Sequence, residues 1–390
     1  MLNKIVKDLS IIVLFVLIST FSIWLPHMLA LPNFLGLNFS NGFNTIYRNF
    51  DGLEYVIIAK TSYSPKALKL IPQSLPEEYY ASHFPGYAAM IGLFAPVLGY
   101  LKSMLFVSVL LTIASAIAFY FLVKDFQLSK QPLFLTLVFL ILPARWLIVR
   151  NVGSAEPMFA FFTILTFYFL LKADGERLKT SFLWFSAISA SVAQFTRPPG
   201  VLITLAILIF VLWQTFLRSK HSIKKALAYF FSFYPFTLAL LTLLAVFYVF
   251  HLSFNDFWAY FHSGDNIHLA LPPFQVFNIN QYWVGTIWLE DVIYVFILGL
   301  LAGLLLLKDR LIPLGIFILT YLVASFFVAH RDISRYILPI APFVIIAFEK
   351  VLTSKEFKIV LAVLLLAFYL YSQNFILQNT APIPNPFLFN

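Results

Sequence analysis

Residues 199–250 read PGVLITLAILIFVLWQTFLRSKHSIKKALAYFFSFYPFTLALLTLLAVFYVF, which is two apolar runs on either side of a basic stretch at residues 218–225. Each run approaches or exceeds the roughly 20 apolar residues that cross a hydrocarbon core. The basic stretch has four Lys or Arg in eight positions, and this enrichment is typical of cytoplasmic loops. The sequence therefore predicts two membrane-spanning helices joined by a cytoplasmic turn.

The composition of the whole chain agrees with this interpretation. Hydrophobic residues make up 61% of the 390 positions and charged residues only 11%, whereas ordinary globular chains are about 25% charged. Too few charges remain to form a water-facing surface. We predict an all-α protein, a polytopic transmembrane helical bundle that is integral to the bilayer.

Charge and cysteine content exclude several functions. The net charge of +9 is explained by basic cytoplasmic loops, so no nucleic-acid partner is expected. The chain has no cysteine, which rules out disulfides and thiolate metal sites.

Alternation of the loops about the basic stretch predicts eleven full spans and one partial helix. The N-terminal apolar run is longer than the core of a signal peptide, so we interpret it as a retained span. The partial helix, near 84–101, contains two prolines and three glycines and must start and end on the same side. The predicted full spans are 9–31, 103–123, 131–149, 155–172, 181–196, 199–217, 226–250, 286–307, 311–329, 335–349 and 357–375.

Two extracytoplasmic loops are longer than a connection needs to be. Residues 32–83 form the first and residues 251–285 the second, within a chain interpreted as one transmembrane domain over 1–390. Long ordered loops usually carry function, and charges near the hydrocarbon are costly enough to be functional candidates. The outer-face candidates are Asp51, Glu54, His83, Arg145, Arg150, Glu156, Arg197, Arg331, Asp332 and Arg335.

These residue types suit a reaction on a lipid phosphate. Arginine binds phosphate oxygens through a forked set of donors, and a carboxylate accepts the proton of an attacking hydroxyl. Asp51 follows the first span, and further short motifs follow it in order. The motifs are FDGLEY at 50–55, HFPGY at 83–87, LPA at 142–144, SAEPMF at 154–159, RPPG at 197–200 and RY at 335–336.

In order and spacing, these motifs resemble those of the lipid-dependent glycosyltransferases of the C-type superfamily. The closest resemblance is to the GPI mannosyltransferase II branch and its prokaryotic relatives. It covers roughly residues 1–200 and is weaker near 330–345. Phe50 stands where that branch has Trp, and Ser154-Ala155 stands where it has Tyr-Ser.

The resemblance implies an inverting transfer of a sugar, commonly mannose, from a polyprenyl-phosphate donor on the extracytoplasmic face of a prokaryotic cell membrane. It implies that Asp51 is the general base, and that Arg197 and Arg335, with Arg331 next, stabilise the leaving phosphate. The acceptor is a glycan, a glycolipid or a protein, and neither a cofactor nor a metal is expected. The remaining residues predicted to bind substrate are Glu54, His83, Arg150, Glu156 and Tyr336.

Less specific interpretations stay open beside these roles. Glu156 is equally well explained by a salt bridge with Arg150 or Arg197. For Arg331 and Arg335 the alternative is a solvated turn, and for His83 it is a helix cap. The histidines of the second loop, with Asp256 and Asp265, match no familiar metal motif.

Two other functions also remain, a lipid-linked sugar flippase and an inactive scaffold. The paucity of charges in mid-span favours the enzyme over a transporter. The central hypothesis is that Asp51, Arg197 and Arg335 line one cavity that opens to the non-cytoplasmic leaflet.

Overall fold

The computed structural model describes residues 2–71, 75–173, 178–264, 268–287 and 289–381. Within these residues the protein is helical, and β structure is limited to three isolated bridges. The first half of the chain forms α1 (Leu2–Met28), α2 (Asn44–Tyr47), α3 (Gly52–Thr61), α4 (Pro65–Leu68), α5 (Pro85–Leu98), α6 (Tyr100–Asp125), α7 (Pro132–Phe139), α8 (Ala144–Val149), α9 (Glu156–Ala173) and α10 (Thr180–Thr196).

The second half has the same all-helical character. It forms α11 (Gly200–Ser219), α12 (Ile223–Ser232), α13 (Thr237–Phe254), α14 (Ala259–His262), α15 (Glu290–Lys308), α16 (Ile312–Ser325), α17 (Ile333–Tyr336), α18 (Ala341–Ala347), α19 (Glu349–Leu352) and α20 (Lys355–Gln378). Short 3-10 helices occupy Glu77–Ser82, Tyr234–Phe236, Gln275–Phe277 and Leu338–Ile340.

Seven helices in the described residues are long and apolar enough to cross a membrane, which confirms a polytopic helical bundle. They correspond to predicted spans 9–31, 103–123, 155–172, 199–217, 226–250, 286–307 and 357–375. A helix keeps all its backbone hydrogen bonds within one segment, which lipid requires. Large side chains such as Ile18 (63% exposed) and Val363 (73%) lie on the outside of these helices.

The other four predicted spans differ from single long helices. Spans 181–196 and 311–329 correspond to the shorter helices α10 and α16. Span 131–149 is divided into α7 and α8 because Pro143 has no N–H to donate and disfavours the helical region for the residue before it. Span 335–349 is likewise interrupted, by the 3-10 turn that contains Pro339.

The partial helix predicted near 84–101 is α5, which begins with Pro85 at its first position and ends at Gly99. Proline suits the first helical position, because the N–H it lacks has no intrahelical partner there. Gly99 has φ +76°, a left-handed conformation that glycine adopts without a steric penalty. The first outer loop contains three helices, α2, α3 and α4.

The chain forms two compact units. Unit 1 comprises Met1–Phe161, Val246–Ser263 and Glu349–Asn390, and unit 2 comprises Phe162–Ala245 and Gly264–Phe348. The core of unit 1 includes Ile12, Val16, Ala116, Tyr120 and Leu140, from α1, α6 and the end of α7.

Unit 2 contains a cluster of aromatic rings in tilted and edge-to-face contact and a pair of closely packed helices. The Phe167 ring lies 4.8 Å from that of Phe317 and 5.2 Å from that of Phe343. Helices α15 and α16 approach so closely that a Cβ at Gly315 would lie 2.8 Å from the Gly303 carbonyl oxygen. Small residues permit this close packing between helices in membranes.

Contacts within unit 1 separate its loops into two groups. Lys358 donates to Gln131 at 2.7 Å, and Tyr120 donates to Asp8 at 2.7 Å, which joins segments predicted to be cytoplasmic. Trp24 donates to the Asn151 carbonyl at 2.7 Å, which joins the outer end of α1 to an outer loop. Segments predicted to share a side therefore contact each other.

Candidate active site

Asp51 is positioned by an unusual backbone turn at the start of α3. Phe50 has φ +47°, a left-handed conformation that is uncommon for bulky residues, and Asp51 is the N-cap residue. A Cβ at Gly52 would lie 2.9 Å from Met104 Sδ and 3.1 Å from the Gly153 carbonyl oxygen. Glycine at 52 thus lets the Asp51 turn pack directly against the segment that precedes α9.

The Asp51 carboxylate is accessible and faces a histidine. Its side chain is 33% exposed, and its Oδ2 lies 4.0 Å from Nε2 of His83. The other ring nitrogen of His83, Nδ1, pairs with the Ser82 hydroxyl at 2.8 Å. The two motifs that begin the C-type resemblance therefore meet in space.

Tyrosines hold His83 in place. The Tyr63 hydroxyl donates to the His83 carbonyl at 2.6 Å, and the Tyr55 ring contacts the imidazole edge to face at 5.1 Å. The Tyr79 ring lies 5.5 Å from the imidazole. Burial raises the pKa of Tyr63 well above its ordinary value, so this phenol remains a neutral donor.

Glu156 begins α9 and is buried, with 3% exposure. The Ser154 hydroxyl donates to its carboxylate, and the Glu156 amide donates to Ser154 Oγ at 3.3 Å. The Ser154 amide in turn donates to the Tyr87 hydroxyl at 3.2 Å. Glu156 is therefore positioned through Ser154, at the place where the related branch has Tyr-Ser.

Arg145 belongs to the same part of unit 1. Its guanidinium carbon lies 3.8 Å above the Phe375 ring, a cation–π geometry. Phe375 also stacks on Phe50, with ring centroids 5.5 Å apart. Phe375 therefore contacts both the Arg145 cation and Phe50, the residue before Asp51.

The end of α20 is fixed to the same loop. Asn49 donates through Nδ2 to the Ile376 carbonyl at 2.7 Å, and Arg48 donates to the Ala381 carbonyl at 3.2 Å. Asn49 is fully buried. The polypeptide that leads into Phe50 is thus anchored by the end of α20 and by the residues that follow it.

Arg150 occupies a structural position. It is fully buried, and it donates to the Leu140 carbonyl at 3.0 Å and to the Ser19 hydroxyl at 2.9 Å. In the described residues no carboxylate pairs with it, so the suggested salt bridge to Glu156 is not formed by Arg150. The geometry gives no support to its assignment as a substrate ligand.

Glu54 lies in the first turn of α3 and is only 3% exposed. A carboxylate is favourable in that turn because the helix N-terminus carries partial positive charge. Since Asp51 is much more exposed, the structure gives these two carboxylates of one motif different environments.

The predicted residues of unit 2 form a separate group. Arg197 ends α10 in an extended conformation, and its carbonyl accepts from the Gly200 amide at 3.0 Å. A Cβ at Gly200 would lie 2.4 Å from Gln194 Cα. The turn at 197–200 therefore requires glycine, and it leaves the Arg197 side chain half-buried.

Arg331, Arg335 and Tyr336 lie on the segment after α16. Arg331 is exposed, and its guanidinium lies 5.9 Å from the Tyr282 ring. The Tyr336 carbonyl accepts from the Tyr321 hydroxyl at 2.9 Å. The second outer loop pairs with this segment, since the Ala329 amide donates to the His268 carbonyl at 2.7 Å.

Sequence and fold comparisons were then made with known proteins. The sequence profile of the dolichyl-phosphate-mannose-protein mannosyltransferase family matches residues 98–261, which is less than half of the chain. No curated protein sequence matches the chain significantly. Among solved structures, ArnT from Cupriavidus metallidurans, bound to undecaprenyl phosphate, matches with a TM-score of 0.57 at 13% identity.

The ArnT match covers 92% of this chain and 64% of the ArnT chain. The protein has the C-type glycosyltransferase fold. This fold agrees with the resemblance inferred from the motifs. The GPI mannosyltransferase II branch stays a prediction.

For this C-type protein, sequence reasoning missed several residues around Asp51. Phe375 and Asn49 belong to no recognised motif. Phe375 packs on Phe50, and Asn49 bonds to Ile376, only because distant parts of the chain meet in the fold. Arg145 was visible as an outer-face charge but had no feature that ranked it above the other arginines. Ser154 was noted as a departure, whereas the structure makes it a partner of Glu156.

No metal centre appears in the described residues, where no three His, Asp or Glu side chains come together. Asp265, which was considered with the loop histidines, lies outside those residues. His262 instead pairs through Nδ1 with Asp256 at 2.6 Å.

Proposed function

We propose that this protein is a membrane glycosyltransferase that moves a sugar from a polyprenyl-phosphate donor to a hydroxyl acceptor on the extracytoplasmic face. Mannose is the first candidate for the sugar, and the acceptor is a glycan, a glycolipid or a protein. The observation that carries the proposal is the accessible Asp51 carboxylate, 4.0 Å from His83, in a chain with the C-type fold. The ArnT structure has undecaprenyl phosphate bound, which supports this donor class.

In the proposed reaction Asp51 acts as general base. The acceptor hydroxyl attacks the anomeric carbon as its proton passes to Asp51, and the bond from that carbon to the phosphate oxygen breaks. The lipid phosphate leaves with the bonding electrons, and the configuration inverts. A positioned base of this kind typically contributes 10²–10⁴-fold to the rate.

His83 and Glu156 would act as positioning groups. His83 Nε2 points toward the Asp51 carboxylate while Nδ1 is engaged by Ser82, so the imidazole can orient the base. Glu156, held by Ser154, would position the acceptor or a partner arginine.

The negative charge that develops on the leaving phosphate requires cations. Electrostatic stabilisation of developing charge is usually the largest contribution to catalysis. We assign this role to Arg197 and Arg335, with Arg331 next, and their convergence with Asp51 is part of the proposal.

The test is Asp51→Asn in membranes supplied with radiolabelled polyprenyl-phosphate mannose, or with the matching glucose donor, and read as label leaving the donor. We expect a loss of at least about 100-fold, because the amide cannot accept the hydroxyl proton. The matched control is Glu77→Gln on the same loop, where Glu77 pairs with Lys69 at 3.5 Å and has no assigned role in the reaction.

The result would be decisive in either direction. Full transfer by a folded Asp51→Asn protein would rule out the general-base role. Absence of transfer by the folded wild-type protein would instead favour the flippase or scaffold alternatives.

A further inference from the structure

Arg150 places a cation in the interior of unit 1. Its side chain is fully buried, and it donates through Nε to the Leu140 carbonyl and through Nη2 to the Ser19 hydroxyl. Its Nη1 is buried and has no hydrogen-bond partner in the described residues, where no carboxylate pairs with the guanidinium. Both acceptors are neutral, whereas buried charges are normally paired. The described part of the chain therefore leaves the charge of Arg150 unbalanced.

The guanidinium lies at a depth where an unbalanced charge is costly. Ser19, whose hydroxyl accepts from Arg150, is next to the centre of the predicted span 9–31. From Ser19 to the end of α1 at Met28 the helix rises about 14 Å, which is about half of a ~30 Å hydrocarbon core. Ionisable groups at this depth are rare and are usually paired with other groups.

A second buried donor lies one helical turn before Arg150. The Trp146 side chain is 2% exposed, and its indole Nε1–H also has no hydrogen-bond partner in the described residues. The Arg150 amide donates to the Trp146 carbonyl at 3.2 Å, so the helical turn of α8 continues through both residues. Positions four apart share one helix face. One face of α8 therefore carries two buried donors that the described residues do not satisfy.

Both side chains pack against the same end of α7. The Trp146 ring stacks on the Phe139 ring, with centroids 5.2 Å apart. Arg150 donates at 3.0 Å to the carbonyl of the next residue, Leu140. The indole and the guanidinium therefore lie in one region of unit 1, bounded by α1, α7 and α8.

We propose that Trp146 and Arg150 bind one small monovalent anion, chloride, between α1, α7 and α8. The indole Nε1–H and the guanidinium Nη1–H donate to the ion, and its charge balances that of Arg150. A water molecule can accept the same two hydrogen bonds, but it leaves the cation unbalanced. A phosphate or a carboxylate needs more donors than these two side chains supply.

This site is independent of the proposed transfer reaction. Neither side chain has a role in that reaction, and the bound ion carries out no chemistry. Its role is to fix α8 between α1 and α7. Because the unfolded chain does not form the site, the ion binds only the folded protein and stabilises it.

The experiment uses the full chain, purified in a non-ionic detergent with sodium gluconate as the only salt. Chloride replaces gluconate at constant ionic strength, and the unfolding temperature is measured at each step. For wild type we expect a rise that saturates, with the same behaviour in bromide. In crystals grown with bromide, anomalous scattering should show one ion beside Trp146 and Arg150.

Two variants test the two donors. Trp146→Phe keeps an aromatic ring on Phe139 and removes only the N–H. It should raise the half-saturating chloride concentration about tenfold or more, the effect expected for a hydrogen bond to a charged group. Arg150→Gln removes the cation and should abolish the response to chloride. The matched control is Trp283→Phe, because this buried indole already donates to the Val276 carbonyl at 2.9 Å.

The control should respond to chloride as wild type does, and so should the Asp51→Asn protein, whatever its transfer activity. Equal unfolding temperatures in chloride and gluconate would overturn the proposal. A wild-type response in both Trp146→Phe and Arg150→Gln would show a general salt effect or an ion bound elsewhere. A bromide peak away from these two side chains would also reject this site.

Discussion

At the residue scale, the position of Asp51 depends on two glycines rather than on the carboxylate itself. Gly52 and Gly153 bring two backbone segments together, and the added methyl of an alanine at 52 would lie 3.1 Å from a carbonyl oxygen that cannot rotate away. The side chain of Met104 closes the same contact at 2.9 Å. Only the absence of a side chain permits this approach.

We therefore expect Gly52→Ala to lower stability by about 1–3 kcal/mol, as overpacking in a close-packed interior does, and to reduce donor turnover. Gly92→Ala, within α5, is the matched control. Its added Cβ would lie 3.9 Å from the Ala59 carbonyl oxygen, an ordinary van der Waals distance. That change is expected to be neutral or to stabilise by about 0.5–1 kcal/mol. Unfolding temperature and turnover check both, and equal behaviour of the two variants would contradict the argument.

The Asp256–His262 pair gives a second prediction at this scale. A hydrogen bond from His262 lowers the pKa of the Asp256 carboxyl below its ordinary value of 3.8, with a further contribution from the Trp258 amide at 2.8 Å. Because the pKa of Asp256 is lower in the folded state, ionised Asp256 stabilises the Asp256–His262 turn above pH 3.8. This stabilisation is lost as the pH falls through the lowered pKa.

Hydrogen exchange of the Trp258 amide, corrected for the intrinsic rate, measures this loss. We expect protection to fall in wild type as the pH drops below 3.8 and passes through the lowered pKa of Asp256. In Asp256→Asn no carboxyl titrates there, so the same step should be missing. A step of equal size in the variant would assign the change to another group.

At the element scale, the close packing of α15 on α16 distinguishes two glycines. An alanine at 315 would meet the backbone oxygen of Gly303 at 2.8 Å, whereas one at 303 would meet only the flexible end of Leu319 at 2.8 Å. Side chains can move by rotation, but a helix backbone cannot move without separating the helices.

We expect Gly315→Ala to destabilise by about 1–3 kcal/mol and Gly303→Ala by distinctly less. Thermal unfolding of the two purified variants in one detergent gives the comparison. A larger effect at 303 would show that the helices separate more easily than this packing implies.

The elements also show how far the sequence predicts the fold. Apolar length and charge alternation located α5 as a partial helix and the long spans within a few residues of their ends. They failed at 131–149, where total apolar length outweighed the local effect of Pro143. The helices within the first outer loop were not specified, because their apolar residues face other helices and show no clear periodicity.

At the scale of the whole molecule, the sequence predicted which segments share a side but not which side chains meet. Asp51 and His83 lie 4.0 Å apart, a contact that the sequence did not predict, whereas Arg150 is buried and donates to Leu140 and Ser19. In the sequence, a buried structural arginine and an accessible arginine carry the same charge and look alike. Only the packing around each side chain distinguishes them.

The proposed convergence of Asp51 with Arg335 is testable because the chain has no cysteine. Asp51→Cys/Arg335→Cys should be joined by a short bismaleimide, which gel mobility and peptide mass detect. Asp51→Cys/Lys225→Cys, whose members are predicted on opposite sides of the bilayer, should not be joined. Absence of the first cross-link, with both cysteines reactive toward a simple maleimide, would separate the acid from that cation.

The bond from Asn49 to the Ile376 carbonyl joins residues 327 positions apart, and it has a consequence for biogenesis. During translation the Asp51 loop leaves the ribosome long before α20 does. Until α20 is inserted, the loop lacks the Ile376 carbonyl and the Phe375 ring that hold it. The Asp51 loop of a nascent chain therefore cannot be fixed in its final position until synthesis has reached α20.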